Sequence, residues 1–488
     1  MPTPLDSNRL DPSTAPSATT RRVNLVASIR SQVRRDQVLC VAIAIVLLVA
    51  ILFLQPTLNR QRSKLVQTSN KSLGNLLITF PRLTLGGFRG ILAMALWENA
   101  ESDKNKRQWV PLESDYNAIA ALEPYFGAVY IFNAWNQAYN LSAQFHAMNL
   151  KYKWVLDGQV YLYKGQKLVP NDSNMIMNEA NNFFLKLGTS FERKYYCARW
   201  RYDIAHLYRY VPGKVQPTLS TLAEVHYIVM QPEFHCVLLP ARDRKGPLGH
   251  GVKVGHVHYR YGLSPFYFAW VEYRRALRQP ELPTDSGEAV LYSWPPMALR
   301  LWCRDDLYYA QRLTWHIFSA APGHLTPRFA ARVANIRDCY RNVRMNAPRS
   351  IREFRIYFHM FPSSTILHMD HLVEVQYYQK LGLAENMLLN ALVQWQLAGR
   401  RFHLGDAADH DFAAAIPLFE QASAAYKHYL NIAYPPSAYG QNPEQHSEMK
   451  YLSSLSAVIA GIENFRRTAS AGHPSLSFLN VITLTDSD

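Results

Sequence analysis

Seventeen consecutive residues from Val38 to Leu54, VLCVAIAIVLLVAILFL, carry no charge and no strongly polar side chain, and no other stretch limits the chain so sharply. As a helix rising about 1.5 Å per residue, the run covers roughly 25 Å, short of a hydrocarbon core of about 30 Å. Its flanks complete the span. Thr57 and Leu58 extend it beyond Pro56, while Arg34 and Arg35 reach back to the headgroups along their aliphatic stems. The sequence therefore predicts one transmembrane anchor at residues 38–54, in contact with membrane lipid. Arg21, Arg22, Arg30, Arg34 and Arg35 precede the span, against Arg60, Arg62, Lys64 and Lys71 after it. That bias predicts a single-pass protein with a cytoplasmic N-terminus and an exported body. A cleaved signal peptide is the competing reading, but the region before the apolar core is long and no A-x-A-like site follows it. An uncleaved signal anchor is expected.

Ahead of the anchor, residues 1–37 read as a disordered basic tail, because Pro, Ser, Thr and Ala dominate its first twenty positions and cannot repay the entropy of ordering. Behind it lie enough residues for two or three domains, and the 48% hydrophobic share lets them bury real cores without further spans. The net charge of +15 is dispersed over distant pairs such as Arg274 with Arg275 and Arg400 with Arg401. Such a distribution fits a solvated face or attraction to anionic headgroups better than a nucleic-acid footprint. Five cysteines show no CxxC spacing, so Cys40 is expected in the span and Cys197, Cys236, Cys303 and Cys339 as buried thiols.

The body reads as mostly α, with helical spacing recurring throughout. Leu112, Tyr116, Ile119 and Leu122 mark one face, and Ile131, Trp135, Ala138, Ser142 and Phe145 another. Residues 55–214 form a helical-repeat region on this reading, and 215–283 an irregular segment rich in Pro and Gly. A C-terminal helical region at 284–467 and a polar tail at 468–488 complete the chain. In the middle segment, PLGHGVKVGHVHY reads as a turned or flexible loop, and helix resumes at Pro265. WPPMALRLW is expected to start a helix at its prolines. Phe412, Ile416, Phe419, Ala422, Tyr426 and Leu430 form a stripe that Pro417 should bend or delay, and Met449, Leu452, Leu455, Ile459, Ile462 and Phe465 form the next.

Leu122 with Pro124, and Val169 with Pro170, resemble the ends of tetratricopeptide repeats. Ala415, Phe419 and Ala422 resemble that repeat's second helix. The resemblance implies antiparallel helix pairs stacked as a solenoid. The run GGFRGILAMALW, the phrase FNAWNQAYNLSAQF and the later YGLSPFYFAWVEYRRAL resemble a group of single-span planctomycete membrane proteins, some of which carry an iron-responsive label.

Two clusters are candidate metal sites. On a helix, His368, His371 and Glu374 fall at intervals of three, close enough to share one ion, although the order differs from HExxH. The glycine-rich loop carries His250, His256 and His258, whose neighbouring backbone N–H groups could converge on an anion or metal. There is no GxSxG elbow, no phosphate-binding loop and no nucleophile with an obvious base, so the sequence shows no catalytic motif and implies no cofactor. Asp305 and Asp306 are adjacent and read as solvated. The expectation is an anchored helical scaffold for an unidentified protein partner. The rival is an envelope protein holding a metal, such as iron, or a small ligand through its histidines.

Overall fold

The computed structural model describes residues 88–207, 219–238, 252–259, 262–283, 286–318, 327–399, 404–434, 443–469 and 476–480. The expected anchor at 38–54, the N-terminal tail and His250 lie outside them, as does the expected polar tail except for 468–469 and 476–480, where Phe478 and Leu479 are buried. No described helix is long and apolar enough to cross a membrane.

The described residues are mostly helical. In chain order they form α1 (Phe88–Asn105), α2 (Trp109–Leu122), α3 (Gly127–Trp135), a π-helical continuation π1 (Asn136–Leu141), α4 (Met148–Gln166), α5 (Ser173–Asn181) and its π-helical continuation π2 (Asn182–Thr189). Then come α6 (Arg193–His206), α7 (Leu219–Val229), strands β1 (Cys236–Leu238), β2 (Val252–Val254) and β3 (Val257–Tyr259), and α8 (Pro265–Ala276). Long helices finish the chain: α9 (Glu288–Phe318), α10 (Pro327–Met360), α11 (Met369–Leu397), α12 (Asp406–Ala433) and α13 (Pro443–Ala469). The chain divides into two compact units. The described part of the smaller is 88–99 with 121–123, where Arg89 pairs with Glu123 at 3.1 Å. The larger unit holds the other described residues, 100–120 and those from 124 onward.

Local chemistry sets several boundaries. Asp172 caps α5 by accepting from the Met175 N–H at 3.0 Å, and Ser264 caps α8 ahead of Pro265, the residue type favoured at a helix start. Helix therefore resumes at Pro265 as expected. The glycine-rich loop is more ordered than its composition suggests: β2 and β3 pair antiparallel, Val254 opposite Val257, around a two-residue turn. Gly255 takes φ +57° in that turn, a conformation open to glycine at little cost. β1 pairs with β2 on the other side, giving an antiparallel sheet in the order β1-β2-β3.

The prolines correct one expectation and narrow another, since Pro417 does not delay its helix. Pro295 and Pro296 lie inside α9, which starts seven residues earlier at Glu288, and Ser350 of α10 donates to the Pro296 carbonyl at 3.0 Å. Pro417 lies inside α12, which runs on from Asp406. Proline removes one ladder donor, and these helices outlast that loss because packing holds the turns on either side.

Two hydrophobic cores occupy the larger unit. The first gathers α4 to α8 and the start of α9, around a cage of Phe183, Trp200, Phe234 and Phe268 with ring centroids 4.6 to 6.3 Å apart. The second gathers the rest of α9 and α10 to α13, including Tyr377, Tyr426 and Tyr451, whose hydroxyls and rings meet in the middle. Helix α9 belongs to both, contributing Leu299 and Trp302 to the first and Leu307 and Ala310 to the second.

Charge is buried in the first core as well. Arg275 of α8 reaches Glu179 of α5 at 3.0 Å, Glu233 at 3.1 Å and Glu272 at 2.6 Å. Burial raises the Glu179 and Glu272 carboxyls, more than the nearby guanidinium can offset. Gly188 in π2 lets α8 approach, since a Cβ there would stand 2.5 Å from the Phe266 ring.

Candidate functional site

Helix α9 carries two i,i+4 rows on one face: Arg300, Arg304 and Tyr308, and Met297, Leu301, Asp305 and Tyr309. Opposite them stand the first two turns of α6 with Arg193, Lys194 and Cys197. Between the two lies a cavity of about 330 Å³, closed at its apolar end by Phe184 of π2 and Phe266 of α8. Four of its lining residues are cationic and one, Asp305, is acidic.

Asp305 is already satisfied. Its Oδ2 accepts from Arg201 at 2.6 and 3.2 Å and from Ser264 Oγ at 2.5 Å. Arg201 is itself 1% exposed, also donates to Asp306, and lies 4.9 Å from the Tyr309 ring centre. Gly262 holds φ +80° against the Arg201 backbone, where a Cβ would come within 2.3 Å of the carbonyl oxygen. Burial lifts the Asp306 carboxyl to about 6, against the lowering pull of Arg201. The expectation that Asp305 and Asp306 are solvated is therefore corrected: α6 supplies a buried guanidinium that turns both carboxylates inward.

Arg300 faces two ways. Its Nη1 donates to Glu374 of α11, which also accepts from the Tyr378 hydroxyl, while its Nε is buried with no hydrogen-bond acceptor among the protein atoms. Burial would raise the Glu374 carboxyl, but Arg300 and Tyr378 outweigh it and hold the group below its ordinary value.

These contacts decide how the first histidine cluster is used. His371 stacks on Phe354, and its Nδ1 receives the His368 backbone N–H at 3.4 Å as part of the α11 cap. Burial and then the Arg300 charge lower His371 to about 4. Glu374 is thus engaged by a guanidinium whose charge opposes a cation nearby. The second pair is spread along the hairpin: His256 is exposed in the turn, while His258 lies in β3 opposite Lys253, with its carbonyl accepting from Arg341 at 2.7 Å. Among the described residues, no group of three or more His, Cys, Asp or Glu is placed to hold a metal ion.

A second cavity, about 320 Å³, lies on the other side of π2. Trp135, Ala138 and Tyr139 line it from α3 and π1, Leu185 and Asn182 from π2. The sequence pattern places Ile131, Trp135, Ala138 and Ser142 on one buried face; Ala138 and Ser142 are buried, but Trp135 is 46% exposed and Ala134 and Leu141 are buried in its place. The cause is the π-helical segment, whose wider turn rotates the side-chain pattern away from 3.6-residue spacing. Trp135 stacks with Tyr139 at 5.8 Å, and Lys186 covers the Tyr139 ring at 5.1 Å. Leu185 is exposed at the same rim. No spacing rule marks either cavity in the sequence. The clustering of Arg300 and Arg304 four apart is the one local signal that could have pointed to the first.

Among the described cysteines, Cys197, Cys303 and Cys339 are buried and Cys236 is half-buried, all as free thiols. Burial pushes the first three well above their ordinary range, so they stay protonated and unreactive. No protein-family model, curated protein or solved structure matches the chain.

Proposed function

We propose that this protein is a membrane-anchored, tetratricopeptide-like helical scaffold, tethered through residues 38–54, whose exported body docks a protein partner at the rim of the π1–π2 cavity. The observation that carries the reading is the exposed apolar rim itself. Trp135 and Leu185, 46% and 40% exposed, flank a cavity of about 320 Å³, and Phe191, two residues past π2, stands fully in solvent. Large aromatic side chains around a pocket are the usual anchors of protein interfaces. π-Helical turns recur where a helix has been adjusted for function at a stability cost. The net charge of +15 favours an acidic partner, which would present an apolar side chain to the cavity.

The test is site-specific photocrosslinking of the full-length protein in native membranes, with p-benzoylphenylalanine replacing Leu185 or, as a control, the exposed Lys450 of α13. One defined protein should crosslink from position 185 and not from 450, and W135E should abolish the product. Identical products from both positions, or a product indifferent to W135E, would overturn the reading.

A further inference from the structure

We propose that one face of α10 is a docking surface for an anionic phospholipid bilayer, its arginines meeting the headgroup phosphates while apolar side chains at its C-terminal end enter the acyl boundary. The surface shares no residue with the partner site at the π1–π2 cavity. It does not depend on the tether at 38–54, which would only raise the effective concentration of bilayer beside it.

Helix α10 carries eight arginines and no lysine, with Asp338 and Glu353 as its acids. Arg337, Arg341, Arg344, Arg352, Arg355 and His359 recur at spacings of three, four and eight residues and so share one stripe of the helix, with the exposed Pro348 in the gap. From Arg337 to Arg355 the stripe runs about 27 Å at a rise of 1.5 Å per residue. All but Arg341 are exposed. Arg341 is paired with Asp338 at 2.7 Å, and Arg337 reaches the neutral Asn390 amide of α11 at 3.1 Å. Among the described residues, no carboxylate pairs with Arg344, Arg352 or Arg355. Glu353 lies in the adjoining row, where Trp270 donates to it at 3.2 Å and Arg274 stands at 3.7 Å. The stripe therefore turns a line of uncompensated guanidinium groups to solvent.

The adjoining row decides which polyanion fits. Ile356 and Met360 follow Arg349 and Glu353 in it and are 50% and 44% exposed, while Ile366 and Met369, just past the helix end, are 40% and 50% exposed. A nucleic acid would meet the arginines through its phosphates and leave these side chains in water. A bilayer accommodates both, because surface-bound helices bury an apolar side while their cations attract anionic headgroups. Ile356 and Met360 also border a cavity of about 270 Å³ with Leu277, Tyr292, Arg274 and Arg278 in its walls, so apolar surface and cations continue side by side onto α8 and α9. The use of arginine throughout suits phosphate, whose oxygens the planar guanidinium fork binds in pairs.

The experiment places dansylalanine at Met360 or, as a control, at the exposed Lys450 of the full-length protein, reconstituted in vesicles of phosphatidylcholine or of an equal mixture with phosphatidylglycerol. Doxyl-labelled phosphatidylcholine is the quencher. Position 360 should be quenched in the mixed vesicles but not in phosphatidylcholine, less so as salt is raised, and position 450 should stay unquenched in both. Each arginine near an anionic surface is worth about fivefold in partitioning, so R355Q should weaken docking by that factor and R344Q/R352Q/R355Q should bring position 360 to the level of 450 with an unchanged circular dichroism spectrum. Equal quenching in the neutral vesicles, or quenching that the triple variant leaves intact, would overturn the role of the arginines. No quenching in the mixed vesicles would overturn the bilayer as occupant, and polyglutamate or duplex DNA bound by the unaltered protein and lost in the triple variant would assign the stripe to that polyanion instead.

Discussion

The two cores of the larger unit are built by different rules. In the C-terminal one, α9 packs on α10, α10 on α11, α11 on α12 and α12 on α13, so each helix finds its neighbour in the next piece of chain. In the N-terminal one, α8 returns past the β-hairpin to lie against α5 and π2, and α4 meets α7 across two intervening helices. Sequential packing asks little of a sequence beyond an apolar stripe per helix. Interleaved packing must also specify which distant element arrives and at what depth. This is where the chain uses Gly188 for close approach, Arg275 to bind three glutamates, and two π-helical turns that rotate the side-chain pattern. Both cavities border π2, on the interleaved side of the molecule.

The sharpest way to break that contrast is at the junction. R201A would leave Asp305 and Asp306 facing each other without their shared cation, and losing one side of a buried ion pair costs about 3–5 kcal/mol. Urea denaturation followed by Trp fluorescence should show this loss, with the N-terminal core unfolding ahead of the α10–α13 stack. A cost below about 1 kcal/mol would mean that apolar contacts along α9 hold the cores together unaided.

A second prediction separates the cores by pH. Glu385 of α11 is buried in the sequential core, accepts from Gln311 at 2.6 Å, and is lifted to about 8 by burial. Its folded-state affinity for a proton exceeds that of the unfolded chain, whose carboxyl titrates near 4.5. The contribution is therefore present in full below pH 4.5 and is lost as the pH rises through 8, falling by about 1.4 kcal/mol for each pH unit between. E385Q should flatten the urea midpoint of the α10–α13 transition between about pH 5 and pH 8.5, leaving intact the slope that Glu179, raised to about 7, gives the N-terminal core. An unchanged slope in E385Q would show that Glu385 is ionised in the folded protein.

The smallest effect belongs to a local feature of the interleaved core. D172A removes the side-chain cap of α5 and should cost about 1 kcal/mol. Chemical denaturation monitored by circular dichroism would measure it. A much larger loss would show that the cap sets the register of the π-helical continuation as well as the helix start.

The helices themselves are largely legible in the sequence. The stripe Leu112, Tyr116, Ile119 and Leu122 is buried throughout, and on α12 Phe412, Phe419, Ala422, Tyr426 and Leu430 are buried, with Ile416 only partly so. On α13 the spacing points slightly away from the true inner face. Leu455, Ile462 and Phe465 are buried as it predicts, but Met449 is exposed while Tyr451 and Val458 turn inward, Tyr451 being drawn to the hydroxyl of Tyr377. Neither cavity is legible. Arg201 and Asp305 are more than a hundred residues apart, and nothing in either local context announces the other. The adjacent Asp305 and Asp306 look like an exposed pair because burial of two carboxylates makes sense only once a distant arginine is known to reach them.

By itself, the sequence determined the helical class and the resumption of helix at Pro265, and it carries the apolar run at 38–54 from which an anchor is read. These follow from side-chain periodicity, capping chemistry and transfer free energy, which act over a few neighbouring residues. Tertiary structure alone decided that α8 threads back into the first core, that Trp135 faces solvent, and that four cations converge on one cavity. Those outcomes depend on which distant surfaces exclude water together, and a pattern confined to one helix does not contain that information.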